Sequence, residues 1–549
     1  MTASHTNSDS RWLFGPVPDL LLGCGVLYLV VFAMQAAAGD ALRAAVPLSV
    51  LPLLSLALGA PHYGATILQA CVPDSEGKTR VFFALWIGAL LMLAFSAGLE
   101  HLVLGSLIVT LYVTWSPWHY SGQNYGILLI LMRRRGVETD VTTKRWLRAA
   151  FIASYGLTFV ALHSANPAGA YAPVSYKGTL FEVIPLGIQP LLRDVLFFGA
   201  VGVFGAGSLI GWTRLLRRAS IRVLAPGAVL WLMQTLWFVA PPLARHWPWR
   251  GGIDPLAPEN AAYTMMWIAV GHFVQYLWIT SYFAKSQGNT GGVALFLGKA
   301  LAAGAAMWVL PPLLFAPRLL GSLPFDMGLG VLAASVVNLH HFIVDGVIWK
   351  SQLGPIARRL HAEATPAALG VPSVGRWVGR ATWAVGTVCV LVAFVGFWEA
   401  TVGLKRAAAR EDLERVEIAD RRLDWIGRES PRRHAALARH ALRKGDRATA
   451  RREIDASLAV HPTAEAWLLL GSFHEGSGHW RAAVGAYERA LELEPESVPA
   501  LYRAGVALLR SGEPERARVK LSRAAELDPE HALALKSLER ARDLAAPVP

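Results

Sequence analysis

Four long apolar segments of the chain each carry a histidine with polar side chains three or four positions away. Residues at that spacing share one face of an α-helix. Each segment therefore presents an imidazole beside an amide, carboxylate or hydroxyl group. These groups are His62 with Thr66 and Gln69, His119 with Gln123 and Asn124, His272 with Gln275, and His341 with Asn338, Asp345 and the adjacent His340.

Ionisable side chains inside apolar spans are costly and indicate functional sites. Counted at about 1.5 Å per residue from the helix ends, the five histidines lie on the order of 10–20 Å from one face of the membrane. Neutral imidazole binds iron, zinc and copper. We therefore predict a metal site, with iron as the first candidate and zinc or copper as alternatives. The predicted ligands are His62, His119, His272, His340 and His341. The predicted catalytic or ligand-orienting side chains are Asp345, Gln123, Asn124 and Gln275. Alternatively, Asp345 is a direct ligand that completes a set of histidines and one carboxylate.

Two other interpretations explain the same polar stripes. Histidines and amides within spans also hold helices together by hydrogen bonds, and they also line pathways for protons or solutes. A haem bound by two histidines fits less well, because no span has two histidines about one haem-length apart.

The segments that carry these residues belong to a very apolar chain. Of its 549 residues, 54% are hydrophobic and 17% are charged, whereas soluble domains carry about 25% charged residues. Runs of about 20 apolar residues indicate membrane-spanning helices. We predict an all-α polytopic bundle of about eleven spans. The runs are 17–38, 44–67, 81–98, 102–132, 148–166, 193–213, 221–242, 261–284, 292–315, 327–349 and 380–402.

The net charge of +13 predicts the orientation of these spans. Basic residues of short loops stay on the cytoplasmic side. Because the basic groups are dispersed between apolar runs, we do not predict nucleic-acid binding. The basic loops contain Arg133, Arg134 and Arg135 after the fourth run, Arg214, Arg217 and Arg218 after the sixth, and Lys350, Arg358 and Arg359 after the tenth. With eleven spans in a bacterial inner membrane, the N-terminus is cytoplasmic and residues after 402 are periplasmic.

Beyond residue 402 the chain contains an internal repeat. Residues 467–495 align with residues 501–529 at an offset of 34, so that Gly471 matches Gly505 and Ala490 matches Ala524. A weaker copy precedes them. This pattern resembles the tetratricopeptide repeat, which has this period and small residues where paired helices pack closely. The resemblance implies a helical solenoid that binds a protein or peptide partner. The predicted domains are a membrane domain at 1–402, a linker at 403–430 and repeats at 431–549.

Histidines on several spans are similar in class to those of integral-membrane iron oxygenases, including the bacterial carotene-cleaving type. The histidine boxes of fatty-acid desaturases are absent, and NLHHFIVD is the nearest segment. The similarity implies an oxidase, oxygenase or desaturase acting on a lipid or isoprenoid from the bilayer. The alternatives are a lipid-linked transferase, a transporter, and a scaffold whose repeats recruit a partner. The first outer loop has Asp40 as its only acidic residue, which argues against the transferase.

Overall fold

A computed structural model gives the fold of the chain. It describes residues 11–71, 77–165, 179–246, 253–257, 260–286, 292–317, 319–352, 376–403 and 412–545. Arg358 and Arg359, two of the predicted loop cations, lie outside these residues. Within them the chain is helical, and an isolated bridge between Ser164 and Ile188 is the sole β-type pairing. The helices form two compact units, residues 1–315 with 328–426, and residues 316–327 with 427–549.

Eleven helices of the first unit overlap the eleven predicted apolar runs. They are α1 (Val26–Ala45), α2 (Ala60–Ala70), α3 (Gly77–Glu100), α4 (Leu102–Arg134), α5 (Val141–His163), α6 (Pro190–Leu216), α7 (Ile221–Phe238), α8 (Ala261–Ser286), α9 (Gly292–Leu314), α10 (Leu329–Gln352) and α11 (Arg376–Trp398). Each predicted run thus corresponds to one of these helices, although the ends differ, most of all for α1 and α2.

Eight helices in the described part of the chain are long and apolar enough to cross a membrane: α1 to α3, α6, α7 and α9 to α11, with α2 counted from Leu48. The other three, α4, α5 and α8, are not in this group. Polar residues such as His119 on α4 and His272 on α8 lower the mean hydropathy of their helices. The eight are possible membrane spans, and the expected count of eleven is not confirmed.

The approach to α2 has two prolines, Pro52 and Pro61, yet it remains helical. Residues Leu51–Leu54 are followed by a π-helical turn at Ser55–Gly59, and α2 then starts with Pro61 in its first turn. Proline has no N–H to donate and is tolerated in the first turn of a helix. The helical path therefore continues past Pro61, and His62 follows in the first turn of α2.

The helix α2 packs against α9 with almost no side chain between the backbones. A Cβ atom at Gly64 would lie 1.8 Å from the carbonyl oxygen of Ala300, and one at Gly304 would lie 1.7 Å from that of Ala60. Small residues at such positions allow helices to approach closely. This contact fixes the position of the helix that carries His62 and Thr66.

The second unit contains paired helices with the predicted period. These are α13 (Pro431–Lys444) with α14 (Arg447–Val460), α15 (Ala464–Glu475) with α16 (Trp480–Leu493), and α17 (Val498–Ser511) with α18 (Pro514–Leu527), followed by α19 (Ala532–Ala545); α12 (Leu413–Trp425) lies at the end of the first unit. The matched glycines have matched partners, because Gly471 faces Tyr487 and Gly505 faces Leu521. A Cβ at either glycine would lie within 2.5 Å of the facing side chain, so each pair requires the glycine.

Candidate metal centre

Four helices of the first unit bring one histidine each to a common point. The residues are His62 on α2, His119 on α4, His272 on α8 and His341 on α10. Three of them are at most 1% exposed, and His119 is partly exposed. The rings of His62 and His119 each lie 4.4–5.2 Å, between centroids, from the rings of His272 and His341. The predicted convergence of the polar stripes is therefore observed for these four.

The imidazole nitrogens point toward one another. The Nε2 atom of His341 lies 3.0 Å from Nε2 of His62 and 3.1 Å from Nε2 of His119. His62, His272 and His341 each offer a nitrogen within 4.8 Å of the other two. With metal–nitrogen bonds of about 2.0–2.1 Å, two nitrogens on one ion lie about 2.9 Å apart at right angles and about 3.4 Å apart at tetrahedral angles. The distances from Nε2 of His341 fall between these values.

Hydrogen bonds alone do not satisfy this arrangement. An imidazole nitrogen carries either one proton or one lone pair, so Nε2 of His341 can pair with only one of its two neighbours. Both ring nitrogens of His272 and Nδ1 of His62 are buried and have no hydrogen-bond partner among the described residues. Leaving a buried polar atom unpaired costs about 1–3 kcal/mol. A cation at the centre would use one lone pair from each ring, and the other nitrogen of His62 and of His272 would keep its N–H.

A chain of hydrogen bonds determines which nitrogen of His341 carries its proton. Tyr276 donates its hydroxyl proton to Oδ1 of Asp345 at 2.6 Å. The hydroxyl of Thr66, 2.8 Å from the Tyr276 oxygen, must then be the donor in that pair. Thr66 can therefore accept from Nδ1–H of His341, which lies 2.7 Å away. His341 consequently directs an Nε2 lone pair at His62 and His119, as a metal ligand requires.

Aromatic rings enclose the cluster. Tyr120 stacks on His272 with ring centroids 3.8 Å apart, and Phe342 stacks on His119 at 4.5 Å. Tyr276 and Phe273 lie 4.4 and 5.0 Å from the ring of His62. These contacts hold the imidazoles in place and surround them with apolar atoms. Asp345 offers an oxygen within 4.8 Å of nitrogens of His119 and His341, and it is the nearby anion that could balance a cation.

The remaining predicted site residues lie outside the cluster of four. His340 points toward α3, where its Nε2 is 3.0 Å from the carbonyl oxygen of Ala84. Gln123 donates to Gln275 at 2.7 Å, and Gln275 donates to the carbonyl oxygen of Gly23 at 2.9 Å. Depth and spacing in the sequence place His340, Gln123 and Gln275 with the histidines. In the structure they instead contact backbone carbonyl groups or each other.

Asn124 belongs to a separate buried network. It donates to Gln234 on α7 at 2.7 Å, and Gln234 donates to Ser121 on α4 and Ser154 on α5 at 2.8 and 2.7 Å. The network joins three helices through amide and hydroxyl groups. Its role is that of interhelical packing by hydrogen bonds, which was one of the alternatives for the polar stripes.

Sequence reasoning missed Tyr276, Tyr120 and Gln234. Tyrosine is common in apolar helices, so its presence alone carries little information. Tyr276 nevertheless follows His272 by four residues and shares its helical face, which is the signal that could have identified it. Gln234 lies on α7, which has no histidine, and no spacing rule points to it.

Comparison with known families identifies the second unit. The family model of the tetratricopeptide repeat matches residues 435–478 and 474–532. The C-terminal region consists of tetratricopeptide repeats. The resemblance seen in the sequence is thus confirmed, and the matched residues run from α13 through α18. Tetratricopeptide repeats generally bind proteins, which supports a protein partner for this region. Comparison with characterised proteins gives no significant match.

Proposed function

We propose that the chain is an integral-membrane, metal-dependent oxidoreductase that acts on a lipid or isoprenoid. The observation that carries this proposal is the convergence of His62, His119, His272 and His341 with lone pairs that hydrogen bonds leave unused. An all-nitrogen ligand set suits iron, zinc or copper. Iron and copper, unlike zinc, would supply the one-electron oxidation that side chains do not provide, and of the two we propose iron.

The residues of the site have separable tasks in this proposal. His62, His272 and His341 would hold the ion, and His119, with Nε2 3.1 Å from Nε2 of His341, is a further candidate ligand. The chain from His341 through Thr66 and Tyr276 to Asp345 keeps His341 in the ligating tautomer. The stacked rings of Tyr120 and Phe342 would limit the access of water to His272 and His119. A dry site protects reactive species from hydrolysis and strengthens electrostatic interactions within it.

The surroundings of His119 support an apolar substrate. His119 is the partly exposed member of the four. The ring centroid of its stacking partner Phe342 lies 6.3 Å from that of Trp115 on α4. Trp115 and Trp118 are 37% and 41% exposed on a helix otherwise rich in apolar residues. A substrate that dissolves in the bilayer would reach the site along this aromatic edge.

The measurement that tests the proposal is metal analysis of the purified full-length protein in detergent. We expect about one equivalent of iron per chain after expression in iron-sufficient medium. Zinc or copper in place of iron would keep the metal site and overturn the choice of iron. Less than about a tenth of an equivalent of any transition metal, in protein shown by circular dichroism to be helical, would overturn the proposal.

We also propose that the tetratricopeptide repeats lie on the periplasmic side and recruit a protein partner there. Asp140, in the loop after α4, forms an ion pair with Arg214 at the end of α6, so the two basic loops share one side. In the second unit, Arg428 lies over the ring of Phe325 and Ser430 donates to Asp326. These contacts within the second unit support a location of the repeats on the same side as the loop after α9. If each long helix crosses the membrane, this loop lies opposite the basic loops.

A topology reporter tests this orientation. A periplasm-dependent enzyme such as alkaline phosphatase, fused after Pro549, should be active. The same enzyme fused after Arg218, in a basic loop, should be inactive. Reversed activities would contradict the proposed orientation, and activity at both positions would contradict the span count.

A further inference from the structure

Two tyrosines flank the same pair of histidines. The ring of Tyr276 lies 4.4 Å from that of His62 and 5.4 Å from that of His341. The ring of Tyr63 lies 4.9 Å and 5.3 Å from the same two rings. Both tyrosines are at most 3% exposed. By distance and burial, either phenol is close enough to exchange an electron with an ion held by these histidines.

The hydroxyl partners distinguish the two tyrosines. Tyr276 donates to the carboxylate of Asp345 at 2.6 Å, whereas Tyr63 donates to the amide oxygen of Asn338 at 2.7 Å. A phenol that loses an electron becomes strongly acidic and must release its proton. A carboxylate can bind that proton to form a neutral acid, and a primary amide oxygen is far too weak a base. Oxidation is therefore facilitated at Tyr276 and not at Tyr63.

The second contact of Tyr276 strengthens this difference. Its oxygen also accepts from Thr66, whose hydroxyl in turn accepts from His341. After the proton has moved to Asp345, this donated hydrogen bond remains and stabilises the phenoxyl oxygen. The transfer converts one buried anion into a neutral acid and creates no new charge on the protein. In an apolar site, a step without new charge avoids a large desolvation cost.

We propose that Tyr276 is a one-electron donor to the metal centre, with Asp345 as the acceptor of its proton. The inference rests on the proposed function. In the step, the O–H bond of Tyr276 breaks, the proton binds Oδ1 of Asp345, and the electron reduces the oxidised transition-metal ion by one unit. The products are a neutral tyrosyl radical and a neutral carboxylic acid. Dioxygen is the oxidant: it takes one electron from the reduced ion and becomes superoxide, and the oxidised ion then accepts the electron of Tyr276.

Freeze-quench electron paramagnetic resonance of the full-length protein tests this inference. Iron(II)-loaded protein in detergent is mixed with dioxygen and frozen. We expect a tyrosyl signal, identified because ring-deuterated tyrosine narrows its hyperfine pattern. Tyr276→Phe removes the donor and Asp345→Asn removes the proton acceptor. Each variant should form at least about tenfold less radical, while the matched control Tyr63→Phe should form as much as the wild type.

Bound iron is measured in every sample, which separates this inference from the proposed function. A wild-type protein that binds iron and forms no tyrosyl radical would overturn the inference and leave the metal site standing. Equal radical yield in Tyr276→Phe, or an equal loss in Tyr63→Phe, would also overturn it. Absence of bound iron in the wild type would overturn the proposed function and the inference together. Asp345→Asn keeps both tyrosines, so it tests the proton acceptor even if Tyr276→Phe fails to fold.

Discussion

His341→Ala should release the bound metal, whereas His340→Ala, one position earlier, should retain it. His341 places Nε2 within 3.1 Å of the Nε2 atoms of His62 and His119, and His340 instead contacts the carbonyl oxygen of Ala84. Loss of a residue that merely orients a ligand costs about 10–100-fold in metal affinity. Loss of His341 itself should therefore cost at least about 100-fold. Metal content after dialysis against a weak chelator measures the difference.

The paired histidines make this a closely matched experiment. Both variants remove an imidazole from the same turn of α10, and both leave a buried space of similar size. Equal metal loss in the two variants would mean that α10 as a whole responds to truncation and that His341 is not a specific ligand. Retention of metal in His341→Ala would contradict the proposed ligand set directly.

Gly304→Ala should destabilise the bundle, whereas Gly126→Ala on α4 should be neutral or slightly stabilising. The added methyl group at Gly304 would lie 1.7 Å from a backbone oxygen of α2, while the one at Gly126 would meet nothing within 4 Å. Overpacking costs about 1–3 kcal/mol even where flexible side chains can move aside. Here the obstacle is backbone, so the cost should reach at least the upper end of that range. Alanine in an open helical position instead gains up to about 1 kcal/mol over glycine.

Thermal unfolding in detergent, followed by circular dichroism, measures these two changes. The midpoint should fall for Gly304→Ala and should stay or rise for Gly126→Ala. Because α2 carries His62, separation of α2 from α9 should also lower the metal content of the first variant. An unchanged midpoint for Gly304→Ala would contradict the close backbone contact between α2 and α9 at this position.

Spacing in the sequence identified the members of the cluster but not its limits. Stripes of residues three and four apart correctly placed His341 and Asp345 on one face of α10. Adjacent residues on a helix point about 100° apart, so His340 and His341 cannot both face the same centre. His340 and His341 lie at the same depth along α10, so only the packing of the neighbouring helices determines which of them faces the cluster. The structure shows that α3 receives His340.

The partners of the amides were beyond sequence reasoning for a related reason. Gln123 and Asn124 follow His119 closely, but their partners Gln275 and Gln234 come from α8 and α7, more than 100 residues later. The residues near Gln123 and Asn124 in the sequence do not indicate which distant amide each one contacts. The contacts within the repeats could be predicted, because a period of 34 residues places the same residue types at equivalent positions in each copy. Gly471 with Tyr487 and Gly505 with Leu521 are two copies of one interaction.

The distribution of the cluster along the chain has a consequence for biosynthesis. His62 and His341 are 279 residues apart. At about 5–20 residues per second, a ribosome needs roughly 15–55 s to make the intervening chain. Under the proposed function, the ligand set stays incomplete during this interval, because both candidate ligand groups include His341 on α10. Metal binding to the complete site would then be a late event, after most of the first unit has been synthesised.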